Sequence, residues 1–137
     1  MLTLPACKEN LAQVRSAVSV AAEALGADPG VLADIQLAVN EACSNVIRHA
    51  YGANGAGGRM DVQLEPTAGR LLIRVHDKGR GFHEPSDNPG AGLGLALIRA
   101  VSETVEIREN GGTEVRMTFP LSAGPPDLGT TSRFFSA

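Results

Sequence analysis

The chain lacks any excess of positive charge: its formal net charge is −3 over 137 residues. A protein that grips nucleic acid through phosphates needs clustered Lys and Arg, so that class is excluded. No apolar run approaches the ~20 residues that cross a bilayer as a helix. The first ten residues, MLTLPACKEN, lack the basic start and apolar stretch of a secretory signal. These absences place the expected protein in the cytoplasm, without membrane or direct nucleic-acid partners. Cysteine is scarce as well. Cys7 and Cys43 stand alone, no C-x-x-C occurs, and a zinc site is not expected. In a reducing compartment both should be free thiols, and Cys43 falls within a helical pattern as a small apolar residue.

Several nucleotide and hydrolase signatures are missing too. There is no G-x-x-x-x-G-K-[ST], which excludes a P-loop. No G-x-G-x-x-G follows the first strand of a βαβ unit. Neither a Ser-His-Asp nor an H-E-x-x-H arrangement is evident.

What is present is periodic. Hydrophobic residues make up 43% of the chain, and its length suits one domain with one core. A short opening strand is predicted at residues 2–4. Leu11, Val14, Val18, Ala21 and Leu25 recur in steps of three and four, predicting a helix over residues 8–25 that stops at Gly26. Asp28 and Pro29 supply an N-cap and a first helical position for a second helix. Its apolar face is Val31, Ile35, Ala38, Val39, Ala42 and Val46, and it ends near Tyr51. A glycine-rich link over 52–58 precedes two alternating runs, 60–64 and 71–75, expected as a hairpin. The second run is the more apolar and should be central. A third helix, with Leu95, Ile98 and Val101 as its buried face, begins in GAGLGLALIRAV. Two more strands, 105–107 and 115–119, are joined by a turn at Asn110, Gly111 and Gly112. From Ser122 onward the chain is rich in Pro, Gly, Ser and Thr. The expected organisation is one domain over 1–121 with a disordered tail over 122–137. The order of elements predicts an α+β two-layer sandwich, three helices on one face of a mixed, mainly antiparallel sheet.

Chemistry concentrates in three places. Glu41, Asn45 and His49 are spaced four apart on the second helix and share a face. A carboxylate can serve as general base, and an amide oxygen can bind Mg²⁺. A plain solvated helix face would give the same spacing. Asp77 ends a strong strand and precedes Gly79 and Gly81. Such a carboxylate can accept from the exocyclic amine of adenine, or serve only as a turn residue. Gly90, Gly92 and Gly94 stand at the mouth of the third helix. There bare backbone and the helix N-terminus favour polyphosphate.

Taken together, VNEACSNVIRHAY, DKGRGF, GAGLGLALI and GGTEVRMTF resemble the four ATP-binding boxes of the Bergerat-fold, histidine-kinase-like ATPases. The compact length and the direct step from DKGRGF to GAGLGL look most like the anti-sigma factor serine/threonine kinases, over about residues 4–121. The resemblance implies an ATP-dependent serine/threonine kinase. Its substrate would be a STAS-type anti-sigma factor antagonist, and it would sequester a sigma factor. Glu41 would be the general base. Asn45 would coordinate Mg²⁺. Asp77 would hold the adenine amine, with Gly79 and Gly81 beside it and Thr113 assisting through its hydroxyl. Gly90, Gly92 and Gly94 would wrap the phosphates of ATP. Arg48 and His49 match the helix end that approaches the nucleotide, while His76 and His83 are read as ordinary strand and loop residues. A homodimer is implied as well. The alternative is an ATP-binding regulatory module or switch kinase, bound to a sigma factor or phosphatase regulator, with little transfer activity.

Overall fold

A computed structural model describes residues 1–50, 58–79, 89–109 and 111–122, with backbone alone at 49–50 and 89–94. The chain runs β1 (Leu2–Pro5), a 3₁₀ turn (Lys8–Asn10), α1 (Leu11–Ala24), α2 (Pro29–Asn45) and a π-helical turn (Val46–Ala50). Then come β2 (Arg59–Thr67), β3 (Arg70–Asp77), α3 (Pro89–Val101), β4 (Thr104–Glu109) and β5 (Thr113–Pro120). The tail over 123–137 and the segment 80–88, which holds Gly81 and His83, lie outside the described residues.

The ends of the first two helices follow from local chemistry. Beyond α1, Gly26 takes φ +105°. Its N–H donates to the Glu23 carbonyl at 3.1 Å, and the Ala27 N–H donates to that of Ala22 at 3.0 Å. This pair of reversed bonds is a Schellman stop, with Ala22 and Ala27 both buried beneath it. The Asp28 carboxylate accepts the Val31 N–H at 3.1 Å and so caps α2, and Pro29 occupies the first turn.

The sheet order is β1-β2-β3-β5-β4, which makes β3 the central strand, as its apolar run predicts. Among the described residues every pairing is antiparallel, so the mixed character expected from the element order is absent there. The reason is topological. The α3 connection carries the chain past an empty position to the far edge, where β4 forms, and β5 then doubles back into the gap. β3 and β4 share a direction but never touch as neighbours. The hairpin between β2 and β3 turns at Ala68 and Gly69, both at positive φ (48° and 80°), as a two-residue type I′ turn demands.

Alternation divides the sheet into two faces. Met60, Val62, Leu71, Ile73, Val75, Val115, Met117 and Phe119 are buried. They form one core with Val14, Val18 and Ala22 of α1, with Ile35, Ala38, Val39, Ala42 and Cys43 of α2, and with Ile98 of α3. α2 is the middle helix, touching α1 on one side and α3 on the other. The opposite face of the sheet carries ion pairs instead: Arg74 with Glu65 at 3.0 Å, His76 Nδ1 with Asp61 at 3.6 Å, and Arg116 with Glu114. That face is half-buried and polar, which suits the reading of His76 as an ordinary strand residue. Beyond β5, the Leu121 N–H donates to the Gly69 carbonyl and the Ser122 N–H to that of Gly26, tying the chain onto the domain where the expected boundary falls.

Candidate functional site

The inner face of the sheet is apolar row by row until its last row. Cross-strand register aligns Pro66, Leu71 and Phe119, then Leu64, Ile73 and Met117, then Val62, Val75 and Val115. The final row is Met60, Asp77 and Thr113. Period-two alternation obliges Asp77 and Thr113 to face the helices, and they are only 4% and 3% exposed. Asn45, at the last residue of α2, is likewise 4% exposed. These are the buried polar side chains among the described residues, and the sequence had singled out all three.

Each is only partly provided for. The Asp77 Oδ1 accepts the Gly79 N–H at 2.9 Å, and the nearby Thr113 backbone N–H also favours the ionised carboxylate. Burial nevertheless pushes the Asp77 carboxyl above the ordinary 3.8. The two N–H donors and the charge of His76 act in the opposite direction and offset this only in part. The Thr113 hydroxyl and the Asn45 Nδ2 are buried without a hydrogen-bond partner among the described residues. Leaving such a group unsatisfied costs about 1–3 kcal/mol, so two of them call for a ligand or for bound water.

On α2, Glu41 lies one turn before Asn45, as the spacing predicts, and its side chain is partly exposed. Arg48 links the two. Its Nη2 donates to the Asn45 Oδ1 at 2.9 Å and sits 3.9 Å from the Glu41 Oε2. Arg48 belongs to the π turn that follows α2, a rare widening that recurs at functional positions. The family resemblance implies a place for Arg48 near the nucleotide but no bond; its basic side chain three residues after Asn45 was the available signal. His49 is in the same turn, and its side chain lies outside the described residues.

Gly90, Gly92 and Gly94 fall inside the first turns of α3. Each glycine in a helix interior costs roughly 0.5–1 kcal/mol against alanine, so stability does not explain three of them. Gly79 directly contacts Asp77, as described. Gly81 lies outside the described residues. Gly112, read from the sequence as a turn residue and as part of the fourth box but given no role of its own, is pressed against the Asp77 backbone.

The donor set suits a magnesium nucleotide. Among the described residues no cluster of three His, Cys, Asp or Glu could hold a metal ion by itself. Mg²⁺ commonly takes one or two protein oxygens and completes its shell with phosphate and water. The amide oxygen of Asn45 has two lone pairs, and Arg48 uses one. Cys43 has no part in this: it is fully buried, and burial pushes its thiol up to about 12, which leaves it inert.

Comparison with known proteins agrees with this geometry. A family model described as histidine kinase-like ATPase domain matches residues 4–119. The serine-protein kinase RsbW of Bacillus pumilus is 32% identical, the match covering 95% of this chain and 90% of that protein. The serine-protein kinase RsbW of Halalkalibacterium halodurans is 34% identical over 85% of this chain and 80% of its own length. Among solved structures, the RsbU and RsbW domains of Rv1364c from Mycobacterium tuberculosis superpose with a TM-score of 0.63 at 25% identity. That match covers 88% of this chain and 32% of that one. The resemblance read from the four boxes is therefore borne out: the chain belongs to the histidine kinase-like ATPase family and, within it, to the serine-protein kinases of the RsbW type.

Proposed function

We propose that this kinase transfers the γ-phosphate of ATP to a serine or threonine of a STAS-type anti-sigma factor antagonist. It would alternate between that partner and a sigma factor that it holds inactive. The observation that carries the site assignment is the coincidence of the buried polar set, Asn45, Asp77 and Thr113, with the nucleotide boxes.

Asp77 accepts the exocyclic amine of adenine and rejects guanine, which presents a carbonyl at that position. The Thr113 hydroxyl, which has no partner among the described residues, serves the same end of the base, directly or through water. Gly79 and Gly81 let the backbone approach the ring. The N-terminal turns of α3, with Gly90, Gly92 and Gly94, direct backbone N–H groups at the polyphosphate. Asn45 would hold Mg²⁺, and that ion would neutralise charge on the transferring phosphate. Glu41 takes the proton from the attacking hydroxyl. Its partial exposure leaves it open to a side chain brought by a second protein.

The domain is taken to be 1–121, acting in the cytoplasm as a homodimer. No helix among the described residues is long and apolar enough to cross a membrane. The test is incubation with Mg-ATP and candidate STAS proteins, scored for phosphoserine or phosphothreonine. Glu41→Gln should abolish transfer, by about 10²–10⁴-fold, while ATP still binds. Tight ATP binding with no transfer to any STAS protein would instead favour a regulatory module.

A further inference from the structure

We propose that Gly112 is a positioning residue for nucleotide selection, one that sets the Asp77 carboxylate by letting the β4–β5 turn lie against the end of β3. This inference rests on the reading of Asp77 as the adenine acceptor.

The geometry is severe. A Cβ placed on Gly112 would lie 1.9 Å from the Asp77 carbonyl oxygen, 2.7 Å from the Asp77 carbonyl carbon and 2.7 Å from the Lys78 Cα. All three are main-chain atoms, so no rotamer change relieves the overlap. Gly112 also takes φ +136°, a region that L side chains avoid. Its neighbour Gly111 separates the two effects. Gly111 has positive φ too (67°), yet a Cβ there meets nothing within 4 Å.

The close approach has a consequence one residue on. Thr113 pairs with Asp77 across β3 and β5, which sets its backbone N–H near enough to the Asp77 carboxylate to favour the ionised form. The Gly79 N–H donates to the same group from the other side. The carboxylate is thus hydrogen-bonded by one amide from its own strand end and has the Thr113 amide of the partner strand beside it. A side chain at 112 would push the turn off the Asp77–Lys78 peptide and withdraw the second amide. The carboxylate would then turn away from the position in which it meets the base.

The test is calorimetric binding of Mg-ADP and Mg-GDP to the full chain, comparing wild type with Gly112→Ala, Gly111→Ala and Asp77→Asn. A wild type with no preference for ADP, or an unchanged preference in Asp77→Asn, overturns the site reading itself. If that reading stands, Gly112→Ala should lose about ten- to a hundredfold of the ADP over GDP preference, with far-UV circular dichroism intact. Gly111→Ala should stay within about twofold of wild type, since strain alone does not touch Asp77. The preference ratio is the deciding readout, because general destabilisation weakens both nucleotides alike. Gly112→Ala with wild-type preference overturns the proposal. So does a Gly112→Ala chain that fails to fold while Gly111→Ala folds, because that assigns the glycine to the fold. A second measurement needs no variant at 112: in the wild type, the amide resonances of Gly79 and Thr113 should titrate together with one midpoint, lost in Asp77→Asn. A Thr113 amide that ignores that titration would also overturn the proposal.

Discussion

The two ends of the sheet's inner face are built on one plan and finished differently. At one end the row Pro66, Leu71, Phe119 closes with a two-residue turn, and the Leu121 N–H caps it on the Gly69 carbonyl. Its buried side chains, Leu71 and Phe119, are apolar. At the other end the row Met60, Asp77, Thr113 carries a buried carboxylate and a buried hydroxyl, and the hydroxyl finds no partner. The alternation matches, and the β3 and β5 side chains are buried at both ends; what changes is their chemistry. The first end serves the folded chain alone, whereas the second carries a hydroxyl without a partner among the described residues, which the nucleotide proposed above would satisfy.

Substitutions can break this contrast. The largest effect is expected at the apolar end. Phe119→Ala should cost about 3–5 kcal/mol of folding stability, read by urea denaturation, and leave the preference for ADP over GDP unchanged in whatever fraction is folded. A large change in that preference would mean that the two ends are not separable. At the polar end the pattern should invert. Asp77→Asn should weaken Mg-ADP by about 1.5–3 kcal/mol, because the amide presents an N–H where an acceptor is needed. Unchanged affinity in calorimetry would remove Asp77 from the site.

Thr113→Val sharpens the comparison further. It deletes a buried hydroxyl that has no partner while keeping the shape. The nucleotide-free protein should be at least as stable as wild type, by up to about 1 kcal/mol, and should bind ADP more weakly. Lower stability with unchanged binding would make Thr113 part of the core instead.

The smallest effect concerns pH. Burial raises the Asp77 carboxyl above 3.8 in the folded chain. Between 3.8 and the raised value the native state holds more protons than the unfolded state, so this group's contribution to stability rises as pH falls. At neutral pH the ionised group is a cost, and the cost is gone below 3.8. Urea midpoints of wild type should therefore gain on those of Asp77→Asn as pH falls from neutral through that window. Parallel curves would show that Asp77 is not desolvated.

Much of this contrast could be read before the structure. Leu11, Val14 and Val18 declared α1 by their spacing, and the alternation from Leu71 to Val75 declared a central strand. Glu41, Asn45, Asp77 and Thr113 were identified by residue type within four ordered boxes, and burial later set three of them apart. What could not be read depends on contacts between distant segments. One extra residue per turn in Val46–Ala50 leaves no mark in composition, so the π turn and the Arg48–Asn45 bond were invisible. The pairing directions depend on β5 entering the gap beside β3, which no local pattern encodes. Gly112 stands in the turn that opens the fourth box, but its role is hidden until the Asp77 backbone is seen against it.

The central claim is that the polar row and Asn45 face one nucleotide, and ¹⁵N-labelled protein titrated with Mg-ADP tests it most directly. The Asn45 side-chain amide and the backbone amides of Gly79 and Thr113 should shift together at one saturating concentration, with Leu71 and Phe119 unmoved. Saturable binding that leaves all three resonances in place would contradict it.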